Sequence, residues 1–136
     1  MRLQRFHALA AWAIMLVASG PAPGQTSLVT IQWEGSGRFE RRVAVGPGKF
    51  MELCGKLDAG TAVDWRFQAS ERVDFNIHYH EGDRVRTPAQ ANQRRSSAGV
   101  LHVASSRDYC WMWTNKTSAP VDVAVTLSRV VSRAGR

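Results

Sequence analysis

The chain contains 136 residues, of which 44% are hydrophobic and 21% are charged, and its formal net charge is +7. This length suits one domain with a single modest core, and the ordinary composition excludes wholesale disorder. The positive charges are spread along the chain rather than gathered in a stripe with interleaved aromatic residues. The sequence therefore indicates weak attraction to an anionic surface at most, and no nucleic-acid binding.

Residues 1–24 are predicted to be a secretory signal peptide. A basic start with Arg2 and Arg5 precedes an apolar run of about eleven residues and then the small residues of SGPAPGQ. A membrane-spanning helix needs roughly 20 apolar residues, so this run is too short for an anchor. We expect cleavage after Ser19 or Gly24 and a periplasmic or secreted mature chain without a transmembrane segment. The domain then comprises residues 25–131, followed by a basic tail, residues 132–136.

Apolar and polar residues alternate with a period of two along the rest of the chain, which is typical of half-buried strands. In the first such run, Val29, Ile31 and Trp33 share the apolar face. The further runs are, in chain order, RFERRVAV, FMELCGKL, TAVDWRFQAS, VDFNIHYH, GVLHVA, YCWMWTN and VDVAVTLSRV. The stretch TPAQANQRRSSA is polar and aperiodic, so it is predicted to be a loop.

These runs amount to about eight short strands with turn signals every 8–12 residues, and no amphipathic helix is convincing. They predict an all-β single domain, an antiparallel β-sandwich of jelly-roll type, with a small closed barrel as the alternative. Six aromatic residues on the apolar phase are predicted to fill the core: Trp65, Phe67, Phe75, Tyr79, Trp111 and Trp113. The alternative role for Trp111 and Trp113 is a platform on which a ligand stacks.

Cys54 and Cys110 are the only cysteines in the chain. In an exported protein two such cysteines usually join, so a structural disulfide is predicted. The bridge would contribute roughly 4 kcal/mol on the chain-entropy model. A redox pair and a pair of soft metal ligands are the alternatives, and the absence of Cys-x-x-Cys disfavours the redox pair.

His78 and His80 stand two residues apart in DFNIHYHEGD. On a strand both point to the outer face together with Asn76, roughly 7 Å apart along the strand, which is close enough for both rings to reach one ion. Imidazole suits copper and zinc, but zinc needs four ligands, or three and a water. A polar strand face needs no metal at all. Both interpretations remain open, with copper or zinc as the metal of the second.

Further metal ligands would have to come from elsewhere in the chain. Glu81 and Asp83, in the turn after His80, can lend oxygen, and Met51 or Met112 can lend sulfur. His102 qualifies only if its strand packs alongside. Independently of any metal, Glu81, Asp83 and Met112 are predicted to form a binding surface.

Catalytic motifs are absent from the sequence. It contains no Gly-x-Ser-x-Gly, no phosphate-binding glycine loop and no His-Glu-x-x-His. Asp64, Asp74 and Glu81 are scattered on polar strand phases, and His102 has no evident nucleophile or orienting partner. The Asn115-Lys-Thr glycosylation motif is interpreted as a chance match. We therefore expect no enzyme activity and no cofactor.

Residues 50–130 resemble the GOLD (Golgi dynamics) domain, a small β-sandwich of Golgi cargo-transport membrane proteins and some lipid-transfer proteins. Three stretches carry the resemblance: GTAVDWRF from Gly60, VDFNI from Val73, and Tyr109-x-Trp111-x-Trp113-x-Asn115 before a valine-rich strand. The resemblance implies a β-sandwich that binds proteins. A cysteine pair joins similar regions in the cargo-transport members, which supports a Cys54–Cys110 bridge. The chain lacks their coiled coil and C-terminal membrane helix, so their role in membrane traffic is not carried over.

Two functional classes follow. The first is a small exported, non-enzymatic binding module that uses loops or a sheet edge to meet an unknown protein partner in the cell envelope. The second is a periplasmic metal-binding protein that holds copper or zinc on the face of His78 and His80.

Overall fold

The alternating sequence forms seven β-strands in the structure, a computed structural model that describes residues 27–131. The strands are β1 (Leu28–Thr30), β2 (Arg38–Val45), β3 (Phe50–Leu57), β4 (Thr61–Glu81), β5 (Arg84–His102), β6 (Arg107–Thr114) and β7 (Val121–Val131). The predicted signal peptide and the predicted basic tail lie outside the described residues. Within residues 27–131 there is no helix of the length and apolarity needed to cross a membrane.

The long strand β4 joins two halves of one curled sheet. Residues 61–69 pair with β7, whereas residues 74–78 pair with β6, and β5 pairs with β4 along both parts. The strand order is β1-β3-β6-β4-β7-β2, with β5 on the other side of β4. We call the part with β7 and β2 the first half-sheet, and the part with β6, β3 and β1 the second half-sheet. The predicted all-β, single-domain fold is confirmed.

The predicted strands TAVDWRFQAS and VDFNIHYH are one continuous strand. The inward phase keeps its register on both sides of the junction, since Val63, Phe67, Val73 and Ile77 are all buried. The polar residues 70–72 between them lie where β4 has left β7 and has not yet met β6. Their polarity therefore marks a bend between two sheet partners, not the end of a strand.

The prediction of a loop for TPAQANQRRSSA is wrong, because these residues form the middle of β5. This strand has β4 as its one sheet neighbour, and most of its side chains are exposed. Only one face of β5 is partly buried, through the small residues Ala89 and Ala91 and the buried Leu101. Such an edge strand needs little apolar alternation, because its backbone hydrogen bonds to β4 hold it. Its register shifts at several points, one of them near Gln93, whose φ is 54°.

The core lies between the inner faces of the two half-sheets. Trp111 and Trp113 of β6 are fully buried, and the ring of Phe67 from the first half-sheet meets Trp113 edge-on with centroids 5.8 Å apart. Phe75 packs against both Phe67 and Trp113. The predicted aromatic core is confirmed for five of the six residues, whereas Tyr79 is partly buried and packs against the core. A ligand-stacking role for Trp111 and Trp113 is excluded by their burial.

The short strand β1 runs parallel to β3, unlike the antiparallel pairs of the rest of the sheet. Val29, Ile31 and Trp33 pack against the core, as their shared face predicts. Ile31 lies directly over Gly55 of β3. A Cβ atom added to Gly55 would lie 3.1 Å from the Cβ atom of Ile31. The glycine therefore lets the chain after β1 lie close to β3.

Candidate functional site

The outer face of the second half-sheet carries the predicted metal-ligating residues. In one row across three strands, Cys54 of β3 is paired with Cys110 of β6, and Cys110 with His78 of β4. The next row places Glu52, Met112 and Asn76 side by side. We call these residues, together with His80, the histidine face.

The predicted disulfide between Cys54 and Cys110 is present in the structure. The two residues lie directly opposite each other on antiparallel strands, with their Cα atoms 4.1 Å apart. Directly opposed residues project side chains to the same face of the sheet, which brings the two sulfurs together. Both cysteines are half-buried, so solvent reaches the edge of the bridge.

His78 is buried although it points to the outer face, with only 7% of its surface exposed. Its Nδ1 lies 2.8 Å from Oδ1 of Asn76, and its Nε2 lies 3.6 Å from a carboxylate oxygen of Glu52. Burial lowers the pKa of His78 below its ordinary 6.5; the Glu52 carboxylate opposes this effect and the neighbouring His80 adds to it. The imidazole is therefore held neutral in the fold near pH 7.

His80 shares the outer face with His78, as predicted, with ring centroids 5.6 Å apart in an edge-to-face arrangement. The ring of His80 is exposed, whereas that of His78 is buried. Across residues 27–131, the one group of three or more metal-capable side chains with ligand atoms within 4.8 Å of one another is Glu52, Cys54 and Cys110. Binding of copper or zinc by His78 and His80 stays a prediction.

Of the other predicted metal ligands Met51, Met112 and His102, one lies on the histidine face and two do not. Met112 lies on the histidine face beside Glu52 and Asn76. Met51 is buried on the opposite, inner face across from Trp113, so it cannot share an ion with His78. His102 is paired with Ala62 at the far end of β4, so its strand does not bring it alongside.

Glu81 at the end of β4 and Asp83 in the turn after it do not face the histidine face: the first pairs with arginines and the second is exposed to solvent. The carboxylate of Glu81 lies 3.7 Å from Arg86 and 3.8 Å from Arg107. Asp83 is exposed in the turn and makes no ion pair within the described part of the chain. Their role as a binding surface with Met112 stays a prediction.

The predicted scatter of acidic residues is visible in the structure. Asp74 pairs with Lys116 and accepts hydrogen bonds from the backbone and the side chain of Gln93. Asp64 is exposed on the other half-sheet. Asn115 is fully buried with its amide engaged by Val45 and Ala119, so the side chain of the glycosylation motif is not accessible.

A second surface, which the sequence analysis did not identify, covers the outer side of the first half-sheet. Three rows of paired residues cross β5, β4, β7 and β2, and they combine small residues with arginines: Ser96, Gln68, Ala124 and Arg42; Ala98, Arg66, Thr126 and Glu40; Val100, Asp64, Ser128 and Arg38. We call this surface the arginine face. Two adjoining depressions of about 560 and 510 Å³ lie on it and share Arg66, Ala98 and Thr126 as lining residues.

The depressions exist because small side chains flank long ones in these rows. Arg66 extends between Ala98 and Thr126, its paired neighbours on either side. Arg38 is paired with Glu40, whereas Arg42 and Arg66 make no ion pair in residues 27–131. The one signal in the sequence was the polar phase of each strand, which does not reveal which strands become neighbours.

The fold and these two faces define a small all-β domain that carries its candidate sites on its outer surfaces. No family model matches the sequence, and no curated protein matches it either. Solved structures do match. They include periplasmic inhibitors of g-type lysozyme, the PliG proteins, from Aeromonas hydrophila, Salmonella Typhimurium and Escherichia coli.

The similarity to the PliG proteins covers nearly all of each of them. The Aeromonas protein has a TM-score of 0.61 at 14% identity, with 76% of this chain and 96% of that chain covered. The Salmonella protein and a mutant of the Escherichia coli protein have TM-scores of 0.50 and 0.51 at 11% identity, with 76% of this chain and 97% of theirs covered. At these identities the similarity establishes a shared fold.

Proposed function

We propose that this chain is a small exported protein of the periplasm that binds another protein without catalysing a reaction. The shared fold with three periplasmic lysozyme inhibitors is the observation that carries the proposal. Because each of those proteins is matched over almost its whole length, the domain of this chain corresponds to a complete inhibitor fold. A g-type lysozyme is therefore the first partner to test.

The arginine face is the surface that we assign to this partner. It spans four strands and presents Arg42 and Arg66, whose guanidinium groups have no carboxylate partner in the described residues. Arginine pairs with carboxylates through two parallel hydrogen bonds and is enriched in the energetic centres of protein interfaces. Glycoside hydrolases carry carboxylates in their clefts, which the unpaired guanidinium groups of Arg42 and Arg66 can bind, although Glu40 and Asp64 lie on the same face.

The test is binding and inhibition of a purified g-type lysozyme by the mature chain. We expect a complex and a loss of lytic activity, with Arg66→Glu weakening the affinity by about tenfold or more. The matched control is Arg84→Glu, which makes the same charge change at an exposed arginine beside the β4–β5 turn. Both variants are compared by calorimetry and by circular dichroism, so that a folding defect is recognised.

Three results contradict the proposal. Absence of any complex tighter than about millimolar, where the binding free energy is only about −4 kcal/mol, removes the lysozyme as partner. Equal weakening by Arg66→Glu and Arg84→Glu removes the arginine face as the docking surface. Inhibition of an unrelated glycoside hydrolase to the same extent would show general attraction to acidic proteins and no specific partner.

Metal binding on the histidine face is the second candidate function, favoured by the shared outward direction of His78 and His80. It predicts a rise in thermal stability on addition of copper or zinc that disappears in the His78→Ala, His80→Ala double variant. If calorimetry detects no metal binding tighter than about millimolar, the metal-binding hypothesis is wrong and these histidines only form part of a polar strand face. Membership of the GOLD family likewise stays a prediction, because no family model matches the sequence.

A further inference from the structure

The disulfide has two further metal-ligating groups beside it. Glu52 lies two residues before Cys54 on the same face of β3, and its carboxylate lies within 4.8 Å of both sulfurs. His78 is the paired neighbour of Cys110 on the next strand, and its Nε2 lies 3.6 Å from the Glu52 carboxylate. The Glu52 carboxylate therefore lies close both to the two sulfurs of the bridge and to the imidazole of His78.

The ring nitrogen of His78 that does not contact Asn76, Nε2, faces the Glu52 carboxylate. With Asn76 Oδ1 as its acceptor, Nδ1 carries the ring proton, so Nε2 presents a lone pair towards the Glu52 carboxylate. The side chain of His78 is only 9% exposed and that of Glu52 only 19%. A ring nitrogen and a carboxylate oxygen, two atoms that can both ligate a metal ion, thus face each other in a half-buried place.

We propose that reduction of the Cys54–Cys110 bridge opens a four-ligand site for Zn²⁺, formed by Cys54, Cys110, His78 and Glu52. Thiolate, imidazole and carboxylate are the ligands of protein zinc, and tetrahedral sites with cysteine and histidine are its usual structural form. The Asn76 bond to Nδ1 fixes the ring so that Nε2 is the ligating atom. His80 is not a ligand of this site.

The chemical step balances with a phosphine as the reductant. The phosphine and one water molecule react with the disulfide. The water oxygen goes to the phosphine, which becomes a phosphine oxide, and the two water hydrogens go to the sulfurs, which become thiols. Zn²⁺ then binds to the two sulfurs as thiolates, and the two thiol protons are released to solvent. No further oxidant or reductant is needed.

The fold is suited to keep the ligands together once the covalent bond is gone. β3 and β6 remain joined along eight residue pairs, from Phe50 with Thr114 to Leu57 with Arg107. Leu53 and Trp111, which flank the cysteines on the inner face, are fully buried. The two cysteines therefore stay opposed, with sulfurs free to separate to the distance that a zinc ion between them requires.

In the experiment the mature chain is reduced with a phosphine, and the phosphine is then removed under anaerobic conditions. The reduced chain is titrated with Co²⁺, which serves as a spectroscopic substitute for Zn²⁺. We expect one equivalent to produce the near-ultraviolet thiolate-to-cobalt absorption together with the visible bands of tetrahedral cobalt. Zn²⁺ should displace the cobalt and protect both thiols from alkylation. The unreduced chain should show none of these signals, since a disulfide offers no thiolate.

Variants distinguish this site from the other metal hypothesis. Glu52→Gln and His78→Gln should weaken the reduced chain's affinity for Co²⁺ by about tenfold or more, whereas His80→Gln and His102→Gln should leave it unchanged. Circular dichroism checks that each reduced, metal-loaded chain keeps its β-sheet spectrum.

Three outcomes overturn the inference. The first is a reduced, folded chain without the thiolate absorption in Co²⁺. The second is an affinity that does not respond to Glu52→Gln or His78→Gln, or that falls with His80→Gln. The third is a thiolate absorption that persists when the sheet is lost, because the ligands would then be gathered by the metal and not by the fold.

Discussion

The indole ring of Trp65 lies over the backbone of Gly99, its paired neighbour on β5. A Cβ atom added to Gly99 would come within 2.7 Å of Cζ2 of the indole. Such a contact is much shorter than real Cβ atoms tolerate, and the obstacle is a rigid ring that packs against Phe75 in the core. Gly99 is therefore required by the packing of the tryptophan rather than by its own backbone conformation.

Gly99→Ala is expected to lower the free energy of unfolding by about 1–3 kcal/mol, because the indole or β5 must shift to admit the methyl group. Gly35→Ala is the matched control, since a Cβ there meets nothing within 4 Å. Denaturant unfolding of both variants measures the difference. Equal stabilities of the two variants would show that β5 moves away from Trp65 at no cost.

Replacement of either cysteine by serine is expected to lower the free energy of unfolding by a few kcal/mol, and by roughly 4 kcal/mol on the chain-entropy model. The bridge joins residues 56 positions apart, so it restricts a large part of the unfolded chain. Titration of the unreduced, unfolded wild type should find no free thiol. Two titratable thiols would rule the bridge out.

Asn115→Ala is expected to cost about 2 kcal/mol or more, because it leaves several buried polar groups without a partner. The Asn115 amide donates to the carbonyls of Val45 and Ala119, and its Oδ1 accepts from the backbone and the hydroxyl of Thr117. Asn92→Ala, on the exposed edge strand, is the control. Thermal unfolding compares the two, and a similar small effect for both would contradict the structural role of Asn115.

Acid is expected to weaken the fold partly through Asp74. Lys116 beside this carboxyl, together with hydrogen bonds from Gln93, holds its pKa below the ordinary 3.8. A carboxyl with a lowered folded pKa contributes stability that is fully present above its unfolded pKa and is lost as the pH falls through its folded pKa. Stability should therefore decline below about pH 4, and less steeply in Asp74→Asn.

The measurement for Asp74 is the free energy of unfolding as a function of pH. Asp122→Asn serves as the control, because that exposed carboxylate makes no ion pair in residues 27–131. If Asp74→Asn and Asp122→Asn have the same pH profile as the wild type, the contact between Asp74 and Lys116 adds nothing to the fold.

The sequence by itself determined the strands that bury one face. Alternation is a local property of an extended backbone, so the inward direction of Phe67, Phe75 and Trp111 could be predicted before any partner strand was known. The disulfide was also predictable, because an exported chain with two cysteines has one possible pair. The shared outward direction of His78 and His80 followed from the same alternation.

Only the tertiary structure decided which outward residues meet. Glu52 reaches His78 because β3, β6 and β4 lie side by side in one register, and the sequence contains no local signal of that register. Arg66, Ala98 and Thr126 come together in the same way from three strands. The part of β5 before Gly99 was missed for a related reason: backbone hydrogen bonds to β4 hold it while most of its side chains are exposed, so it shows no apolar alternation. Only the end of β5 lies in a predicted strand, the run GVLHVA.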